Sequence, residues 1–273
     1  MSSFPPFART CDGPRPLIGV VHLRPLPGAP RFDGDRAAVQ DAALADARAY
    51  AEGGAAGLIL ENFGDVPFTR GRVGAEVVAA MTAVACHLGE LGLPLGINVL
   101  RNDGLSALAV AAAAGAAFVR VNILTGARLT DQGLIEGIGH ELLRERKRIG
   151  AESVEVWADV DVKHSTPLGP VDLGREASET LGRGGAEALI VTGPATGAGV
   201  ETGTLRCVRA AAPEARIWVG SGVCEDNVAA CEAADGFIVG SSLKRGGRPD
   251  GRVEAERVRR LVAAIGDMPP LDF

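Results

Sequence analysis

Residues 156–165 read VWADVDVKHS, an apolar run that ends in two carboxylates, an amine and an imidazole. Alternate side chains of a β-strand point to the same face. The pattern therefore predicts that Asp159, Asp161 and Lys163 share one face of a strand. The opposite face carries the small apolar residues Ala158, Val160 and Val162. A solvent-facing edge strand would need bulkier apolar residues, so the pattern favours a strand with helices on one side and a polar pocket on the other.

Strands of this kind recur along the chain and alternate with Ala-rich helical segments that mostly end in glycine. The predicted strands are 17–23, 57–62, 94–100, 118–122, 154–163, 188–193, 216–222 and 236–241. The predicted helices lie near 35–52, 74–91, 103–114, 131–149, 171–183, 201–211, 225–232 and 252–265, with Asp35, Asp103, Asp131 and Asp172 as capping residues. Eight such pairs predict an α/β fold of the (β/α)8 TIM-barrel type. A doubly wound sheet is the alternative, but its GxGxxG fingerprint is missing after the first strand.

Length and composition predict one domain over residues 1–273, with residues 1–15 as a loosely ordered extension. Hydrophobic residues make up 47% of the 273 residues, enough for a large core, and no linker divides the chain. A net charge of −6 with interspersed signs argues against a nucleic-acid partner. Five cysteines without a CxxC pair, no signal-peptide core and no membrane-length apolar run predict a soluble, cytoplasmic protein without membrane insertion.

Polar residues concentrate at the carboxyl ends of the predicted strands, where TIM barrels carry their active sites. The strand starts are apolar or small, and burial alone gives no reason to polarise one end only. Candidates for acid/base catalysis are His22, Glu61, Asp159, Asp161, Lys163 and His164. Candidates for holding a hydroxylated substrate are Asn98, Arg120, Asn122 and Thr192.

Lys163 allows two interpretations. We expect an ion pair with Asp159 or Asp161, which would keep its ammonium protonated. A desolvated Lys163 that acts as a Schiff-base nucleophile is the alternative. The two aspartates could also share a divalent ion with Glu61 or His22, although no HxH or DxDxDG pattern fixes a metal site. The cofactor is thus left open between none and a divalent metal. FMN is not expected, because aromatic residues make up only 4% of the chain.

The last two predicted strands end in VGSGV (219–223) and VGSSLK (239–244). Many TIM barrels bind a phosphate between these two loops, where glycine lets backbone N–H groups approach an anion. The predicted phosphate donors are Gly220, Ser221, Gly222, Gly240 and Ser241. Three segments at the same end, 63–74, 123–133 and 192–200, are predicted lids or subunit contacts, in which Arg70, Arg72 and Arg128 could hold a second anionic group.

Several stretches together resemble the BtpA/SgcQ family over essentially the whole chain. They are IGVVHLRPLPGAPRF (18–32), RVNILTGARLTDQGLIEG (120–137), ADVDVKHS (158–165), VGSGVCEDN (219–227) and ADGFIVGSSLK (234–244). The resemblance implies a (β/α)8 barrel. It implies no defined reaction, because one family name comes from photosystem I biogenesis and the other from a carbohydrate-linked bacterial operon.

These observations predict an enzyme that acts on a small phosphorylated sugar- or nucleotide-like metabolite by acid/base chemistry at the barrel mouth. Lyase, aldolase, isomerase and glycosyl-transfer reactions all fit. The alternative is a non-catalytic assembly or stability factor of the photosystem type with a relic ligand pocket, which a large exposed apolar patch would favour. We expect a small phosphorylated ligand and a homo-oligomer.

Overall fold

The computed structural model describes residues 15–193 and 199–270. These residues form the strands β1 (Leu17–His22), β2 (Gly57–Glu61), β3 (Leu95–Asn98), β4 (Phe118–Val121), β5 (Ala127–Thr130), β6 (Gly133–Glu136), β7 (Glu155–Val160), β8 (Ser165–Pro167), β9 (Ala188–Val191), β10 (Arg216–Val219) and β11 (Gly236–Val239). Eight of them close a parallel barrel in the order β1-β11-β10-β9-β7-β4-β3-β2. The predicted TIM barrel is confirmed.

The described residues also form the helices α1 (Arg36–Glu52), α2 (Ala75–Gly89), α3 (Gly104–Ala114), α4 (Gly139–Arg148), α5 (Leu173–Gly182), α6 (Thr202–Ala211) and α7 (Ala255–Gly266). Asp35, Asp103 and Asp172 cap α1, α3 and α5 as predicted, because each side chain accepts a hydrogen bond from a backbone N–H three residues later. Within the described part of the chain, no helix is both long and apolar enough to span a bilayer.

Two predicted helices differ from the structure. The helix predicted from residue 131 begins only at Gly139, because β5 and β6 form an antiparallel hairpin in which Leu129 lies opposite Leu134. Asp131 is therefore a turn residue and not a helix cap. The helix predicted near 225–232 is reduced to one 3-10 turn over Val228–Cys231. The preceding loop is held by Asn227, whose side chain binds the backbone on both sides of Val223.

The hairpin of β5 and β6 is part of a second, small sheet at the barrel mouth. Its strand order is β6-β5-β8, so the loops that follow β4 and β7 are joined by hydrogen bonds.

The predicted extension 1–15 lies outside the described residues except for Arg15. That side chain is buried, and its guanidinium donates to the carbonyls of Glu232, Ala234 and Pro269.

Aromatic rings fill the interior of the barrel below the mouth. Trp157 stacks between Phe118 and Trp218, with ring centroids 3.9 and 4.6 Å apart. Gly96 and Gly236 make room for the outer two rings, because a Cβ atom would lie 2.2 Å from Phe118 at the first position and 2.4 Å from Trp218 at the second. The barrel interior, as far as the structure describes it, is thus a packed core and not an open channel.

Candidate active site

A cavity of about 770 Å³ opens at the carboxyl ends of the barrel strands. Twelve of the fifteen predicted site residues line it, namely His22, Glu61, Asn98, Arg120, Asn122, Lys163, His164, Gly220, Ser221, Gly222, Gly240 and Ser241. Asp159, Asp161 and Thr192 do not. The sequence therefore predicted the position of the cavity and most of its wall, whereas the roles of the residues stay predictions.

Arg120 is the centre of a buried polar cluster at the cavity floor. Its Nη2 lies 2.9 Å from Oδ1 of Asp159, and its Nη1 lies 3.4 Å from Oε1 of Glu61. Asn98 donates to Glu61 over 3.0 Å, and Asn122 donates to Asp159. Asp159 therefore lies behind the guanidinium of Arg120, which explains why it does not line the cavity.

The charges in this cluster stabilise one another. Burial alone would raise the pKa of Glu61, but the charge of Arg120, together with the hydrogen bond from Asn98, outweighs burial and holds this pKa below its ordinary value. Burial likewise lowers the pKa of Arg120, and here Asp159 and Glu61 reverse the effect and raise it. Glu61 and Arg120 are therefore both charged at neutral pH, and Glu61 is a carboxylate rather than an acid that can give up a proton.

Asp161 does not share the face of Asp159, and this part of the prediction is wrong. The strand ends at Val160, and Asp161 has a positive φ of 51°, which breaks the alternation of side chains. Its half-exposed carboxylate accepts from Arg128 Nη1 over 2.7 Å. Arg128 also binds Glu176, so it ties the small sheet to α5 and is not available to hold a second anionic group.

Lys163 lines the cavity without the ion pair that its sequence neighbours predicted. Its backbone N–H donates to Thr192 Oγ1 over 3.2 Å, and its carbonyl accepts from Arg101 Nη2 over 2.7 Å. Among the described residues, no carboxylate forms a salt bridge with its ammonium. Burial, and then the nearby charge of Arg120, lower its pKa to about 8. An appreciable fraction of Lys163 is therefore a free amine near neutral pH.

His22 faces the same cavity from the end of β1. Its ring stacks on Phe63 with centroids 4.5 Å apart, and its Nε2 lies 3.9 Å from Oε2 of Glu61. Its Nδ1 lies 3.2 Å from the Nζ of Lys244 and 3.1 Å from the carbonyl oxygen of Pro249. Burial and the charge of Lys244 lower the pKa of His22 to about 4, so the imidazole is neutral at pH 7. His164, by contrast, lies exposed at the rim.

Two glycine loops form the wall at β10 and β11. Gly222 adopts a left-handed φ of 67°, and Ser242 Oγ donates to the carbonyl of Val223 over 2.6 Å, which joins the two loops. Gly220 is not an anion donor as predicted, because its N–H donates to the carbonyl of Val191. It is required instead for packing, since a Cβ atom there would lie 2.6 Å from Ile190.

The sequence analysis missed Arg101, Phe63, Phe68 and Lys244. Arg101 is only 4% exposed and lines the cavity one residue beyond the predicted end of β3. Lys244 is buried behind His22 and lies 3.6 Å from Asp46. Its position directly after VGSSL was the available signal, but a lysine next to a loop is usually solvated.

The described residues hold no group of three or more His, Cys, Asp or Glu side chains that could bind a metal ion. The predicted set of metal ligands is not brought together, because Asp159 faces Arg120 and Asp161 is turned towards Arg128.

Of the predicted lids, 63–74 contributes Phe63 and Phe68 to the cavity wall. The segment 192–200 lies partly outside the described residues.

The model of a family described as the BtpA family matches residues 14–267. The chain is 46% identical over 254 residues to the photosystem I biogenesis protein BtpA of Synechocystis sp., covering 92% of this chain and 88% of that protein. It is also 46% identical over 250 residues to an uncharacterised protein of Thermococcus kodakarensis, covering 91% and 94%.

Among solved structures, the chain is similar to a phosphoribosyl anthranilate isomerase from Thermus thermophilus. The TM-score is 0.55 over 92% of this chain and 98% of that chain, at 14% sequence identity. At this identity the similarity concerns the fold.

Proposed function

This chain belongs to the BtpA family, and from that premise we propose that it is an enzyme acting on a small phosphorylated sugar- or nucleotide-like metabolite. The observation that carries the proposal is a single cavity that has candidate phosphate-binding loops on one side and a reactive amine on another. Glycine and serine loops follow β10 and β11 on one side, and the amine of Lys163, which has no carboxylate partner among the described residues, lies on another.

The phosphate would bind to the loops after β10 and β11. These are the seventh and eighth strands of the barrel in chain order, after which TIM-barrel enzymes frequently bind phosphate. With Gly220 excluded, the candidate donors are the N–H of Gly222 and the groups of Ser221, Gly240 and Ser241. The isomerase of similar fold is named for a phosphoribosyl compound, which is consistent with this ligand class.

The chemistry would use Lys163 and His22. A lysine with a pKa of about 8 can act near neutral pH as a base, or as a nucleophile towards a carbonyl group. The neutral His22 can exchange a proton through Nε2, next to the Glu61 carboxylate. This arrangement favours carbonyl chemistry of the lyase, aldolase or isomerase type over glycoside hydrolysis, because glycosidases typically use two carboxyl groups and both Glu61 and Asp159 bind Arg120 here.

Our expectation that Lys163 forms no Schiff base rested on an ion pair with the two aspartates. Since the structure lacks that pair, borohydride trapping in the presence of phosphorylated ketoses becomes informative. A reduced adduct on Lys163 would identify it as the nucleophile. Turnover of the same substrate without an adduct would leave it the role of a base.

Ligand binding to the phosphate loops is tested by thermal shift and calorimetry with a panel of sugar phosphates. Ser241→Asp places a carboxylate on the loop wall, and repulsion between like charges should weaken binding by about tenfold or more. Ser241→Ala is the matched control and should lose far less. The proposal is wrong if neutral sugars stabilise the protein while none of the phosphorylated compounds does.

The described structure also offers an observation in favour of the alternative role as an assembly or stability factor. The exposed large hydrophobic side chains of the described residues are Leu129, Leu134, Leu168 and Val171, all in or next to the small sheet β6-β5-β8. Grouped exposed apolar side chains favour protein contacts. They could serve the predicted homo-oligomer or a partner protein, and they do not exclude catalysis in the cavity.

A further inference from the structure

We infer that the ligand carries a second anionic group, a carboxylate or a phosphate, which binds to Arg101 on the wall opposite the phosphate loops. This inference rests on the proposed function and specifies its substrate class. The ligand would be a small polyhydroxylated compound with an anion at each end, such as a sugar bisphosphate or a phosphorylated sugar acid.

The topology of the barrel separates the two anion sites. The phosphate loops follow β10 and β11, whereas Arg101 follows β3, which lies four steps around the eight-stranded ring from β10 and three steps from β11. The loops and Arg101 therefore stand on opposite walls of the same cavity. With strands about 4.8 Å apart, opposite walls of an eight-stranded barrel are roughly 12–15 Å apart. Groups that project inwards from both walls leave a gap of about the length of a pentose or hexose chain.

Arg101 is a buried cation that forms no salt bridge with a described carboxylate, although the more distant charges of Asp159 and Asp131 partly offset its burial. It is 4% exposed, and one of its N–H groups donates to the carbonyl of Lys163. Its buried Nε has no hydrogen-bond partner in the part of the chain that the structure describes. Burying a guanidinium without an anion is costly, because the lost hydration is not replaced. A site that binds an anionic ligand explains why the cost is tolerated.

The backbone around Arg101 is held rigidly. Asn102 exchanges two hydrogen bonds with the backbone of Ile123, at 2.8 and 2.9 Å, and Asp103 caps α3. Asp103 also accepts from the N–H of Val73, and the N–H of Arg101 donates to the carbonyl of Thr69. A side chain anchored in this way is preorganised for a ligand and is not a mobile surface arginine.

The balance of charge in the cavity agrees with this arrangement. The buried carboxylates Glu61 and Asp159 are both engaged by Arg120. Arg101 and Lys163 therefore add positive charge that no described carboxylate neutralises by a salt bridge. Asn122 Oδ1, next to them on the cavity floor, is buried and has no hydrogen-bond donor among the described residues. It is an acceptor suited to a hydroxyl group on the carbon chain between the two anions.

The experiment compares matched ligands by isothermal titration calorimetry. The pairs are fructose 1,6-bisphosphate with fructose 6-phosphate, and 6-phosphogluconate with glucose 6-phosphate. In each pair only the first compound carries a second anion. We expect the wild-type protein to bind at least one of the compounds with two anionic groups about 10- to 100-fold more tightly than its partner, because the second group adds charge-assisted hydrogen bonds. Arg101→Gln should abolish that difference and leave the affinity for the singly phosphorylated partner unchanged.

Arg183→Gln is the control, because Arg183 is an exposed arginine before β9, at the other end of the barrel, and its substitution changes the net charge equally. The inference is overturned if both members of each pair bind equally well, or if Arg101→Gln retains the preference. Those results leave the proposed function intact, because the phosphate still binds. If none of the four compounds binds, and inorganic phosphate does not bind either, the proposed function fails and the inference with it.

Discussion

The amine of Lys163 owes its low pKa to its place in the chain rather than to a special partner. It follows a strand that ends at Val160, and the turn at Asp161 directs the carboxylate of that residue to Arg128 instead of to Lys163. The ammonium of Lys163 is therefore left among buried groups of which Arg120 and Arg101 are positive. Loss of water and repulsion between like charges both favour the neutral amine.

This environment of Lys163 predicts a titration near pH 8. The chain contains three lysines, Lys147, Lys163 and Lys244. After reductive methylation with ¹³C formaldehyde, the Lys163 signal should titrate with a midpoint near pH 8, and Lys147, whose pKa is raised by Glu152, should stay protonated. Because the unfolded lysine keeps its proton to higher pH, the stability of the fold should rise between about pH 8 and 10.5. A Lys163 midpoint above 10 would show that an ion pair exists after all.

Two substitutions should distinguish the structural charges from the ligand-binding charge. Asp159→Asn removes a fully buried partner of Arg120 and should destabilise the protein by about 3–5 kcal/mol. Arg101→Met removes a buried cation that forms no described salt bridge and should leave the melting temperature unchanged or higher. Calorimetry of both variants at pH 7 measures the difference. An equally large loss of stability in Arg101→Met would mean that its charge is structural.

At this scale the sequence predicted the cavity well and the pairing of charges poorly. Strand ends located twelve of the wall residues, because the carboxyl ends of barrel strands meet at one mouth. Strict alternation of side chains predicted Asp161 beside Lys163. In the structure, the positive φ of Asp161 breaks this alternation and separates the two side chains. Nothing in a linear pattern shows where a strand stops within a polar run. Arg101 was missed for the same reason, since it lies just past a strand end.

At the scale of elements, the small sheet β6-β5-β8 is the part of the molecule that the (β/α)8 pattern did not predict. A helix was expected from residue 131, because Asp131 precedes a segment with helical spacing. Gly133, with a φ of 92°, instead allows a tight turn that pairs Leu129 with Leu134. The capping residues of α1, α3 and α5 were correct, because an aspartate before a helix satisfies free N–H groups locally.

The exposed leucines of this sheet predict an effect on association. Leu129 and Leu134 lie opposite each other and are 51% and 43% exposed. Replacing both with serine should reduce or abolish the expected homo-oligomer, because apolar area buried in a subunit contact would be lost. Light scattering at several protein concentrations measures it, with Arg70→Gln as a surface control. An unchanged oligomer, or a wild-type monomer, would leave these leucines without a role in self-association.

For the whole molecule, the aromatic stack of Phe118, Trp157 and Trp218 closes the barrel interior and leaves the mouth as the place for a ligand. The phosphate loops, the amine of Lys163 and the cation of Arg101 all face that one cavity of about 770 Å³. This volume suits a small metabolite rather than a macromolecule. We therefore expect an oxyanion to bind to the loops that follow β10 and β11.

A crystal of the protein soaked in tungstate tests this claim most directly, because tungsten in a phosphate-like oxyanion is identified by its anomalous scattering. We predict a peak between the two loops, within hydrogen-bond distance of the Gly222 N–H and the Ser241 hydroxyl. Soaking Ser241→Asp crystals under the same conditions should remove the peak. Wild-type crystals that bind tungstate elsewhere, with no anomalous density between these loops, would contradict the account.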